Sequence, residues 1–129
     1  MFAFKLAYLA SPYSRYPAGI EEAYREVSRQ SALLLRHGVP HFSPIGHTHG
    51  VAIHGGIEAK DHSVWLPFDA PMMDACDLII MLRMESWRES YGMAYEHDRF
   101  VSAGKPVVWM EPGVLPEEFL PGGRFAPGV

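Results

Sequence analysis

Short unbroken apolar runs alternate along the chain with longer segments whose apolar residues recur at helical spacing. The first run, residues 3–10, stops at Ser11-Pro12 and predicts a buried strand. From about Pro17 the period changes. Ile20, Tyr24, Val27, Ser31, Leu34 and Leu35 share one helical face, with Glu22, Arg25, Glu26, Arg29 and Arg36 largely opposite and Gly38 as the stop. Val39-Pro40-His41-Phe42-Ser43-Pro44 predicts a short second strand, placed by its prolines at or near a sheet edge. Residues 44–57, interrupted by Gly46, Gly50, Gly55 and Gly56, predict a long loop. A helix is predicted over Glu58–Trp65, broken or restarted by Pro67 and Pro71, with a second piece ending near Ala75. Asp77-Leu78-Ile79-Ile80-Met81-Leu82 is the clearest buried strand, Gly92–Ala103 the next helix, and Pro106–Met110 the last strand. Beyond it, only Pro116–Leu120 in a proline- and glycine-rich tail reads as a helical turn.

Strands alternating with helices predict an α/β chain: a Rossmann/flavodoxin-like, three-layer fold with a mainly parallel sheet of about four to five strands. The 129 residues are expected to form a single domain, with 110–129 as its tail. In such sheets ligands sit beyond the carboxyl ends of the strands, which draws attention to residues 10–17, 43–57 and 83–92.

Composition narrows the function. With 48% hydrophobic residues a chain of this size buries a core without disulfide staples, and its single cysteine, Cys76, excludes an internal one. Cys76 lies in an apolar run and reads as buried, and a cytoplasmic location is the natural expectation. The net charge of −4 argues against a nucleic-acid polymer as partner. Lys5 interrupts the apolar start, which therefore reads as a strand and not a signal peptide. No run approaches the roughly 18 apolar residues of a membrane span.

The strongest local signal is Ser90-Tyr91-Gly92-Met93-Ala94-Tyr95-Glu96, between a buried strand and a helix. Gly92 allows close backbone approach, and the free amides of the helix start favour an anion, with Ser90 adding a hydroxyl and Arg88 a guanidinium. Glu96, four residues on, reads either as an ordinary acidic residue early in a helix, the commoner case, or as an ionised pocket carboxylate able to attack a sugar carbon. Ser90 is also a natural N-cap.

Gly92-Met93-Ala94-Tyr95-Glu96, followed by Gly104-Lys105-Pro106-Val107, resembles the glycine-x-x-x-glutamate and glycine-lysine-proline-valine signature of the nucleoside 2-deoxyribosyltransferases. Tyr8-Leu9-Ala10-Ser11-Pro12 is similar to that family's first-strand motif, with Ser11 in place of a glycine. Asp69 with Met72-Met73-Asp74-Ala75-Cys76-Asp77 resembles its aspartate segment. The resemblance runs in order over residues 5–110. It implies that Glu96 forms a covalent glycosyl intermediate, that Asp69 contacts the base or assists its departure, and that Ser11, Pro12 and Tyr13 border base and sugar. Tyr8 would orient Glu96. Ser90 stands where the transferases carry an aspartate for the sugar 5′-hydroxyl, and so resembles the branch that hydrolyses deoxynucleoside 5′-monophosphates, where a serine binds phosphate. The implied partner is a nucleoside or nucleoside monophosphate, the implied assembly a homodimer or larger homo-oligomer, and no metal or organic cofactor is required.

The histidines His41, His47, His49 and His54 offer a competing metal site, yet no cysteine accompanies them and none are paired at i, i+4 on a helix. A role for His47 in lining the nucleotide pocket is the preferred reading over a metal. Among Trp65, Trp87 and Trp109, Trp87 is the expected stacking residue and Trp109 a core residue of its strand. A non-catalytic nucleotide-binding module and a metal-dependent hydrolase are the rival functions.

Overall fold

The computed structural model describes residues 2–127. It holds four strands, β1 (Ala7–Ala10), β2 (His41–Phe42), β3 (Leu78–Leu82) and β4 (Val107–Met110), and four α-helices, α1 (Ile20–Arg36), α2 (Pro44–Gly55), α3 (His62–Ala75) and α4 (Tyr91–Ser102). The strands form one all-parallel sheet in the order β2-β1-β3-β4, the Rossmann/flavodoxin-like α/β arrangement expected from the alternation of periods. β2 is at an edge, as its flanking prolines predicted. The chain leaves β1 toward β2 on one side and later returns to β3 on the other, so the topological switch point is between β1 and β3.

Strand alternation sorts the core into two layers. Ala7 and Leu9 of β1 with Leu78, Ile80 and Leu82 of β3 pack against Val27 and Leu34 of α1 and against Phe119 and Phe125 of the tail. Tyr8 and Ala10, with Ile79 and Met81, face Met73 and Cys76 at the end of α3 and Met93 and Phe100 of α4. Tyr8 is thus aimed at α4 from the sheet's centre. The predicted burial of Cys76 holds, and burial pushes its thiol up to about 11.

Three expectations need correction. Residues 44–55 are a helix, not a loop. Pro44 occupies the first position, Ser43 Oγ accepts the Gly46 N–H at 3.0 Å, and Gly56 closes the helix at φ +71°. A Cβ at position 46 would come within 2.9 Å of Ser43 Oγ, so this glycine leaves room for the cap. Ser43→Ala is expected to lower stability by about 1 kcal/mol, read as a shifted denaturant midpoint. The second correction is α3, which begins later than predicted, at the Asp61 cap, and runs unbroken through Pro67 and Pro71. Both prolines are on its exposed side, where the carbonyls they leave without a donor can take water, while Asp69 and Met73 anchor the opposite side. Third, Leu35 leaves the apolar face of α1 and is 65% exposed; Val27 and Leu34 of the predicted face are buried, joined by Ala23 and Gln30.

Candidate active site

A cleft opens beyond the carboxyl end of β1, lined among others by Ser11, Tyr13, Thr48, Trp65, Asp69, Gly92 and Glu96. The segment after β1, one face each of α2 and α3 with the turn between them, and the first turns of α4 therefore meet at the switch point. At its base Tyr8 Oη donates to Glu96 Oε2 at 2.5 Å, both residues being buried. β1 supplies the tyrosine and α4 the glutamate, across 88 positions of sequence.

The two carboxyls of the cleft are both held above their ordinary range. Burial raises Glu96 to about 8, opposed by the Tyr8 hydrogen bond and reinforced by the charge of Asp69. Burial alone raises Asp69 to about 6. Tyr8 is pushed far up by burial and by the charges of Glu96 and Asp69, so it remains a neutral donor. Sequence reasoning expected the α4 N-terminus to keep Glu96 ionised. Glu96 is past the first turn, where that influence has faded, and desolvation wins. Ser11 Oγ and Asp69 Oδ1 are buried in the cleft without a protein partner. Each such group is costly unless something else satisfies it, and a polar ligand in the cleft would do so.

The cleft gathers Ser11, Tyr13, Asp69, Gly92 and Glu96, with Tyr8 beneath, from the residues singled out in the sequence. Pro12 is buried beside it but does not line it. Ser90 caps α4 by accepting the Met93 N–H at 3.2 Å and stands 4.0 Å from the place a Cβ on Gly92 would occupy, bordering the cleft without lining it. Ser90 itself lines a separate depression with Arg88, Trp87 and Trp109. There Trp87 meets Trp109 edge to face at 5.4 Å, and the guanidiniums of Arg83 and Arg88 lie over it at 5.5 and 5.1 Å. Trp87 is thereby engaged, and Trp109 is 37% exposed and not a core residue. His47 is exposed and stacked on Phe68 at 5.9 Å, outside the cleft.

Residues missed in the sequence are Thr48, Lys60 and His62; Trp65, weighed there with the other tryptophans, lines the cleft instead of Trp87. Thr48 was hidden because residues 44–55 read as loop, and Lys60 and His62 because the helix that carries the cleft face of α3 was started too early and broken at Pro67. Lys105 and Asp77, which carry part of the family signature, are structural. Lys105 Nζ donates to the Asp74 carbonyl at 2.9 Å at the end of α3, and the Asp77 carboxylate accepts the Lys5 and Leu6 amides at 2.7 and 3.2 Å. Among the described residues, no three His, Cys, Asp or Glu side chains gather as metal ligands would, and no helix is long and apolar enough to cross a membrane.

Comparison with solved structures finds a 2-deoxyribosyltransferase from Leishmania mexicana at a TM-score of 0.51 and 23% identity, covering 96% of this chain and 75% of that one. The likeness establishes a nucleoside 2-deoxyribosyltransferase-like fold. No curated protein matches the chain. The family described as a domain of unknown function, DUF1937, matches residues 5–112, the whole of the sheet and every residue of the cleft, and the chain belongs to that family.

Proposed function

We propose that the protein breaks the N-glycosidic bond of a nucleoside or nucleoside 5′-monophosphate, passing the glycosyl group through Glu96 to water or to a second base. The observation that carries this reading is the Tyr8–Glu96 hydrogen bond at the base of a cleft that also holds Asp69. A non-catalytic nucleotide binder has no use for a desolvated carboxylate held by a tyrosine, whereas attack on C1′ does. In the proposed sequence Asp69, protonated, gives its proton to the departing base as the C1′–N bond breaks, and Glu96 Oε1 or Oε2 forms the bond to C1′. Water, losing its proton to Asp69, or an acceptor base then releases the sugar from Glu96. Tyr8 orients the carboxylate throughout.

Near neutrality the two carboxyls share one proton, and in the free cleft it is on the less reactive side, with Glu96. With Asp69 near 6 and Glu96 near 8, the form carrying a protonated Asp69 and an ionised Glu96 is about one molecule in a hundred. The pH dependence of kcat/KM is therefore expected to be bell-shaped, with limbs near 6 and 8 that belong to the pair jointly. A rate that is flat from pH 5 to 9 would remove both carboxyls from the chemistry. The direct test of function is incubation with a panel of nucleosides and their 5′-monophosphates, reading free base by chromatography with and without an added acceptor base. Base release only with acceptor indicates transfer; release without it indicates hydrolysis.

A further inference from the structure

A second polar array reaches the cleft from the surface. Glu21 Oε2 lies 2.8 Å from His49 Nε2, and His49 Nδ1 lies 2.6 Å from Tyr13 Oη. His49 is 4% exposed while Glu21 is 57% exposed, so the row runs from solvent through a buried imidazole to a phenol on the cleft wall. Tyr24 stacks on the imidazole at 4.4 Å and 19°, fixing its plane.

The direction of each hydrogen bond follows by elimination. A carboxylate only accepts, so Nε2 of His49 carries hydrogen. In the neutral ring Nδ1 is then an acceptor, and the Tyr13 hydroxyl must donate to it. The phenol hydrogen is used up, and only oxygen lone pairs remain to face the cleft. We propose that Glu21 and the neutral His49 imidazole hold Tyr13 as a hydrogen-bond acceptor toward the substrate, selecting a nucleoside that presents an N–H or O–H at that wall. The class of ligand rests on the function proposed above; the polarity of the wall rests on the row alone. Tyr13 touches substrate in this account, and His49 and Glu21 position it.

Burial and the charges of Glu21 and Glu58 push the Tyr13 phenol up to about 12, so it stays a phenol. The groups around His49 are Glu21 and Tyr24 from α1 and Tyr13 from the β1–α1 segment, with Arg25 pairing to Glu21 at 3.6 Å. A second proton on His49 would reverse the row, with Nδ1–H donating to Tyr13 and the phenol hydrogen turned into the cleft.

Two measurements test this. Nitrogen-15 NMR of the imidazoles at about pH 9 is expected to find His49 as the Nε2–H tautomer, and Glu21→Gln, which can donate or accept, should mix the tautomers. An Nδ1–H tautomer in the wild type overturns the inference. Base release is then compared for 2′-deoxyadenosine and 2′-deoxycytidine, their N,N-dimethylated forms, and their 3′-O-methyl forms, each pair differing by a lost donor. The wild type should favour the donor-bearing member of at least one pair by about tenfold or more in kcat/KM, and Tyr13→Phe and Glu21→Gln should each reduce that to within about threefold. A preference that survives both substitutions overturns the inference while leaving base release intact. No release from any probe by the wild type overturns the function and the substrate selection with it.

Discussion

Glu96→Gln is expected to abolish base release and, at the same time, to raise the melting temperature at about pH 8. The first half follows from the role of the carboxylate. An amide cannot form the glycosyl ester, and kcat/KM should fall by at least about 10³-fold. The second half follows from burial. Glu96 holds its proton up to about 8 in the folded chain against an ordinary 4.5. Between those values the folded state binds more protons than the unfolded one, so stability falls as pH rises through that window. Glutamine removes the burden and still accepts the Tyr8 hydroxyl. The gain should be roughly 1–3 kcal/mol at pH 8, several degrees in Tm, and should vanish near pH 4, where both states are protonated in the parent. Residual turnover above about 1% of wild type would exclude Glu96 as nucleophile. A Tm gain independent of pH would exclude the electrostatic explanation.

A nucleoside 5′-monophosphate is expected to exceed its nucleoside by about tenfold to several hundredfold in kcat/KM. Ser90 occupies the Met93 amide and its carbonyl takes the Ala94 amide, which leaves the Tyr91 and Gly92 amides as the open donors of the α4 N-terminus. Gly92 lines the cleft, and Lys60 brings an ammonium to the same lining. The discriminating variant is Ser90→Asp. Aspartate is as good an N-cap as serine, so α4 keeps its start, but its charge repels phosphate. The preference should disappear or invert while turnover of the nucleoside persists. If the wild type prefers the unphosphorylated nucleoside, transfer between nucleosides becomes the better reading.

The sheet was legible from apolar runs, because a strand buried on both faces is apolar along its whole length, as Leu78–Leu82 is. Helix α1 was legible because one of its sides is polar. Helix α2 was not. Its glycines suppress propensity, and its apolar residues do not gather on one face, so Ser43 and Pro44 were the only signals, and they read equally well as the end of a strand. The prolines of α3 misled for a related reason: their local cost is real, but packing through Asp69 and Met73 outweighs it. Within the candidate site, Tyr8, Asp69 and Glu96 were singled out through their motifs, and the fold brings Tyr8 of β1 and Glu96 of α4 together at the base of the cleft. Residues such as Trp65 and His49 depend on where two misread helices pack. No local pattern encodes that. Ser11 in place of glycine brought a hydroxyl into the cleft that has no protein partner, a detail that only burial reveals.

The aromatic cluster of Phe2, Phe4, Phe119 and Phe125 has a practical bearing. Phe4 and Phe125 meet at 5.9 Å, and with Asp77, Leu78 and Pro106 they surround a hollow at the amino ends of the central strands. The segments leading into and out of the αβ unit are thus fastened together at the pole opposite the cleft. A fluorescent reporter or a surface tether coupled to Lys5, exposed at the rim of that hollow, would project from that pole, leaving the mouth of the cleft unobstructed.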